Sequence, residues 1–129
     1  MTNDNKYIVE AKKYYQIALE EIEKSKANGK IEYAVDGCDK AWLSLNLAIK
    51  AMFIQKEVKE QELPKAYRGV SFFLKKYGDR KLRRIYDSAY GRLHIQGFWE
   101  RDVDFDRVKE VMEDVKQYID EIEQQNITK

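Results

Sequence analysis

His94 is the only histidine in the chain, and so the only side chain whose ordinary pKa lies close to neutrality. It stands in Tyr90-Gly91-Arg92-Leu93-His94-Ile95-Gln96-Gly97-Phe98-Trp99, where arginine and aromatic side chains gather near the expected end of a helix. Used chemically, the imidazole would serve as general acid or base, and Arg92 or Arg84 would neutralise negative charge on a phosphate. That is the chemistry of a metal-independent ribonuclease, in which a ribose 2′-hydroxyl attacks the adjacent phosphate. A histidine near a helix C-terminus also has a structural use, since it gains from the helix dipole and bonds the last carbonyls. We weigh that use above catalysis.

Tyr86, Tyr90 and His94 are spaced i, i+4 and i+8 along one side of a helix, as a polar track or as core tyrosines with hydroxyls at the rim. The second option is the better fit for so tyrosine-rich a chain. Gly91, inside the same helix, would let another backbone approach closely or mark a kink. Charge is uneven: Lys75, Lys76, Arg80, Lys81, Arg83 and Arg84 face only Asp79 within ten residues, a net +5, whereas 100–123 carries a net −6. The basic stretch suits a nucleic-acid backbone, with Arg80, Lys81, Arg83, Arg84 and Tyr90 as candidate contacts and Tyr77, Tyr86, Phe98 and Trp99 available for stacking. It suits equally well the acidic last helix, within one molecule or across a dimer. Phe98 and Trp99 are also candidate anchors for a protein partner's groove. No metal site is expected, because one histidine and one cysteine cannot make a zinc pattern and no Glu-x-x-His pair occurs. Without a glycine-rich phosphate loop or a serine nucleophile elbow, no cofactor is expected either.

These residues need helices to position them. Ile8, Ala11, Tyr15, Ala18 and Ile22 recur at alternating 3 and 4 spacing, capped by Asn3 or Asp4 and stopped at Asn28-Gly29. A second helix carries Ala34, Cys38, Ala41, Trp42, Leu45, Ala48, Ile49, Met52 and Phe53, widened by Val35, Leu43 and Leu47, which marks it as central. Residues 55–65 read as a connecting loop ending at Pro64. A short helix over 66–77 presents Val70, Phe73, Leu74 and Tyr77, and Gly78-Asp79 stops it and caps the next. That fourth helix buries Leu82, Ile85, Tyr86, Ala89 and Leu93 and is expected to end near Gly97. The last starts at Asp102 or Asp104 and runs through Val108, Val111, Met112, Val115, Ile119 and Ile122.

Short connections favour antiparallel neighbours, so the expected fold is all-α, an up-and-down antiparallel bundle of four to five helices forming a single domain over 1–129. One proline and six glycines leave long stretches for helices, and a net charge of +1 gives no global bias toward nucleic acid or membrane. Cys38 has no disulfide partner, and no leader or apolar run of about 20 residues appears, so the expected location is cytoplasmic, away from membranes.

The helix order, the Trp42-Leu43-x-Leu45-Asn46-Leu47-Ala48 stretch and the Leu93-His94-x-x-Gly97-Phe98-Trp99 segment resemble the HEPN superfamily of helical bundles, most closely a small bacterial branch. The resemblance implies a homodimer and a toxin–antitoxin-like setting, with RNA, a nucleotide or a partner protein such as a nucleotidyltransferase as ligand. Ribonuclease members carry an arginine followed, after four to six residues, by a histidine. Counted back from His94 it would be residue 87, 88 or 89, and these are Asp87, Ser88 and Ala89. Neither Arg92 nor Arg84 substitutes in angle around the helix. The leading expectation is therefore a non-catalytic dimeric module; a divergent ribonuclease using His94 with Arg92 or Arg84, and a purely structural interaction module, are the alternatives.

Overall fold

The computed structural model describes the backbone over residues 3–128 and side chains over residues 5–125. Its α-helices are α1 (Asn3–Asn28), α2 (Ile31–Gln55), α3 (Tyr67–Tyr77), α4 (Arg80–Ala89) and α5 (Phe105–Thr128). A 3₁₀ turn, Glu60–Glu62, interrupts the loop before α3, and α4 continues directly into a π-wound segment, Tyr90–Trp99. Among the described residues there is no strand.

Local chemistry sets the boundaries. Gly29 leaves α1 at φ 74°, and its N–H bonds the Ser25 carbonyl at 2.8 Å. Asp79 caps α4 by accepting from the Leu82 N–H at 2.7 Å. Of the two acids expected to cap α5, Asp104 does so, accepting from the Arg107 N–H at 3.2 Å. The cap expected from Asn3 or Asp4 falls on side chains outside the described residues. The end of α2 lacks a glycine: Glu57 takes the left-handed position at φ 69°, with Val58 N–H bonded to Phe53 O at 3.0 Å and Glu57 N–H to Ile54 O at 2.9 Å.

The helices α1 and α2 form an antiparallel hairpin in which Ala11 and Ala18 of α1 face Ser44 and Gly37 of α2, so that the backbones come close. A Cβ on Gly37 would stand 2.8 Å from Ile22 Cγ1 and 3.1 Å from the Ala18 carbonyl. Buried Ser44 donates across this hairpin to Ala11 O at 2.6 Å, which keeps its hydroxyl partnered in the core. Numbering rises along α1 as it falls along α5, since Lys26 lies over Phe105, Tyr15 donates to Met112 O at 3.0 Å and Lys12 pairs with Glu123. It falls along α2 as it rises along α4 and the π segment, from Trp42 on Tyr86 to Cys38 on Gly97. Four long elements therefore alternate up and down, and α3 covers one end with Phe73 and Tyr77 against Phe53.

The apolar stripes meet in one core that includes fully buried Leu45, Ile49, Leu74, Leu93 and Ile119, each such side chain contributing about 1.5–3 kcal/mol by leaving water. Leu43 departs from expectation: it is 38% exposed and borders a surface groove instead of widening the buried arc. No helix among the described residues is long and apolar enough to cross a membrane.

Candidate functional site

Arg80, Arg83, Arg84 and Asp87 fall at i, i+3, i+4 and i+7, so one face of α4 presents all four. With Ser71, Leu74 and Lys75 from α3, and with Tyr86, they line a groove of about 360 Å³. Asp87 is its single acid, and its carboxylate accepts from the Tyr67 hydroxyl at 2.8 Å. Among the described residues, Lys75, Arg80, Arg83 and Arg84 pair with no carboxylate. Lys81 lies off this face and reaches Glu121 on α5 at 3.7 Å. The basic stretch is thus divided: Lys81 meets the acidic last helix, Lys76 lies over the Tyr77 ring at 5.1 Å, and the other four line an open groove. Both groups of that exposed ion pair are about half in solvent, so it contributes little.

An aromatic run starts at the groove wall. Tyr67 stacks on Tyr86 at 5.4 Å and on Tyr90 at 3.9 Å between ring centroids, and Trp42 approaches Tyr86, Tyr90 and His94 at 5.1, 5.7 and 5.5 Å. Tyr86 is almost fully buried, and burial, with the nearby Tyr67, Asp87 and Tyr90, raises its pKa. Burial likewise raises that of Tyr67, followed by its bond to Asp87. Tyr86, Tyr90 and His94 share no hydrogen bond with one another, so they form a series of ring contacts and not a polar track.

His94 itself is half-buried and stacks on Trp42, at 5.5 Å and 25°, and on Phe98, at 6.2 Å and 10°. Its Nε2 accepts from Trp99 Nε1 at 3.2 Å. This bond spans five residues, which the π winding brings together because each backbone hydrogen bond reaches one residue further back than in an α-helix, as Glu100 N–H to Ile95 O at 2.9 Å does. A neutral imidazole accepting at Nε2 carries its proton on Nδ1. That nitrogen is buried without a partner, an arrangement that costs about 1–3 kcal/mol. The terminal carbonyl expected as the partner of His94 is therefore replaced by an indole. Arg92 is engaged with Gln96 Oε1 at 2.9 Å, and Arg84 lines the α3–α4 groove, which His94 does not.

Among the described residues no other backbone approaches Gly91 closely; the tight glycine contact of this segment is at Gly97, against the Cys38 side chain. A Cβ on Gly91 would meet nothing within 4 Å, whereas one on Gly97 would stand 2.6 Å from Cys38 Sγ. That contact locks the π segment on α2 and sets His94 against Trp42. The Cys38 thiol is wholly buried, and burial, then the charge of Asp39, pushes its pKa up to about 12, which makes it a packing group and not a nucleophile. Among the described residues no group of three or more His, Cys, Asp and Glu could hold a metal ion. Tyr67 and Ser71 are site residues that sequence reasoning passed over, while Trp42, Asp87 and Gly97 were read there in other roles; the i, i+3, i+4, i+7 spacing from Arg80 to Asp87 was the signal available for Asp87.

Residues 6–119, which span the groove and the π segment, match the model of a family described as the archaeal PaREP1/PaREP8 family. The chain belongs to that family. The PaREP1/PaREP8 assignment corrects the bacterial branch implied by the HEPN-like resemblance, since the family is archaeal. No curated protein and no solved structure matches the chain.

Proposed function

We propose that this PaREP1/PaREP8 chain is a non-catalytic, cytoplasmic module that binds RNA through the groove between α3 and α4 and works as a homodimer of HEPN-like bundles. The observation that carries this reading is the set of four cations, Lys75, Arg80, Arg83 and Arg84, that line one groove and, among the described residues, have no carboxylate partner. Charges left unpaired at a concave surface favour a polyanion, and their affinity for it falls as salt rises. Catalysis by His94 has less support: its Nε2 is already engaged by Trp99, Arg92 is engaged by Gln96, and Arg84 lines a groove that His94 does not.

The test is fluorescence anisotropy of a labelled single-stranded RNA across a salt series. Wild-type protein binds most tightly at low salt, and Arg83→Glu with Arg84→Glu weakens binding and flattens the salt slope by roughly 0.7 per lost phosphate contact. No binding at low salt, or an unchanged slope in the variant, refutes the reading. Metal-free cleavage of that RNA, abolished by His94→Ala in a folded protein, replaces it with the ribonuclease. Light scattering checks the dimer against the 15.4 kDa chain mass.

A further inference from the structure

Trp99 combines two properties that seldom coincide. Its side chain is 67% exposed, yet its indole N–H is held by His94 Nε2, and its ring stands edge-on to His94 at 89° and to Phe98 at 81°. A large exposed aromatic side chain ordinarily samples several rotamers and must be ordered when a ligand arrives. Here the imidazole fixes it beforehand. The imidazole is in turn stacked against Trp42 and Phe98, and Gly97, immediately before Phe98, is seated on Cys38. Among the described residues, the rings and hydrogen bonds that meet Trp99 are those of His94 and Phe98.

The surroundings favour one kind of ligand for it. An unbroken series of ring contacts, Tyr86 to Tyr67 to Tyr90 to His94 to Trp99, joins the cationic groove to this platform along α4 and the π segment. The distance from Arg84 to Trp99 is at most roughly 22 Å, taking 1.5 Å for each residue of rise. Stacked nucleotides in one strand advance about 3.4 Å each, so a short oligonucleotide covers the span. Cations for phosphates at one end and a π face for a base at the other are the two parts of a single-strand binding surface.

We propose that Trp99 is a base-stacking platform for single-stranded nucleic acid, and that His94 is a positioning residue that pre-orients it. The inference rests on the cationic groove as the phosphate-binding element and adds what that groove does not supply, a preference for unpaired bases. Duplex binds through phosphates alone, because its bases are stacked on one another.

The experiment uses the full chain and three 12-nucleotide probes at one low salt concentration: single-stranded RNA, the same strand with a central run of abasic sites, and the duplex. Binding is followed by anisotropy and by tryptophan fluorescence, whose only sources in this chain are Trp42 and Trp99. Base-bearing single strand binds about tenfold tighter than either other probe and quenches the fluorescence. Trp99→Ala abolishes that tenfold difference while leaving abasic binding unchanged. His94→Leu reduces it several-fold, and His94→Gln, which keeps an acceptor, restores part of it. Equal wild-type affinity for the three probes overturns the platform while the groove reading stands; binding to none of them overturns both. A Trp99→Ala change confined to self-association, with RNA binding intact, assigns the residue to a contact between copies and likewise overturns the proposal.

Discussion

Replacing Gly97 by alanine tests the contact that fixes the π segment. The new methyl carbon would stand 2.6 Å from Cys38 Sγ, 2.9 Å from Cys38 Cβ and 3.1 Å from the Arg92 carbonyl, and Cys38 is wholly buried on α2. Two contacts below 3.0 Å against a side chain with nowhere to turn place the substitution in the upper half of the overpacking range, about 2–3 kcal/mol. At roughly 4 °C per kcal/mol for a domain of this size, Tm falls by about 8–12 °C, measured by the loss of helical circular dichroism on heating. Gly91→Ala is the control within the same segment. A methyl there meets nothing within 4 Å, and exchanging glycine for alanine inside a helix stabilises by about 0.5–1 kcal/mol. The decisive comparison is a double-mutant cycle: Cys38→Gly removes both atoms that clash, so in that background Gly97→Ala costs under about 1 kcal/mol. A neutral Gly97→Ala, or an equal cost in both backgrounds, refutes the close seating of the segment on α2.

Glu57 holds a left-handed conformation at the end of α2, so Glu57→Gly raises stability by about 1 kcal/mol, seen as a higher urea midpoint at unchanged m. Cys38 ionises near 9.0 when exposed and near 12 in the fold, so its contribution is complete below pH 9 and declines as pH rises from 9 to 12. Between pH 8 and 10.5 the loss is about 2 kcal/mol, and Cys38→Ala removes that part of the pH dependence. Native Cys38 also stays unreactive to a thiol reagent that labels the urea-unfolded chain.

Much of the bundle was legible because its helices are strongly periodic, with glycine after α1 and α3 and aspartate capping the starts of α4 and α5. Every stripe residue read on α1, α4 and α5 is buried, from Ile8 to Ile122. Glu57 hid the end of α2 less than it might have, since the polar run up to Pro64 marked a loop in any case. The site was harder to read. Its basic face repeats at α-helical spacing, and sequence could have separated Arg80, Arg83 and Arg84 from Lys81 on that ground. The link from His94 to Trp99 could not be read so, because an interval of five residues points away from the same face in an α-helix and toward it only under π winding. Trp42 was visible as an apolar position, but its place beside His94 depends on how closely Gly97 meets Cys38, a tertiary distance that no local pattern encodes.

The π segment also bears on what lengths of chain the fold tolerates. Hydrogen bonds that reach one residue further back take up more chain over the same height than an α-helix would. Deleting one residue between Tyr90 and Trp99 would let the segment tighten toward α winding, with both ends still tied to α4 and to α5. The bundle would keep its helices while the indole turned away from the imidazole. A one-residue change of length would then act on one surface of the molecule and leave the core in register, a form of variation that substitution alone cannot reach.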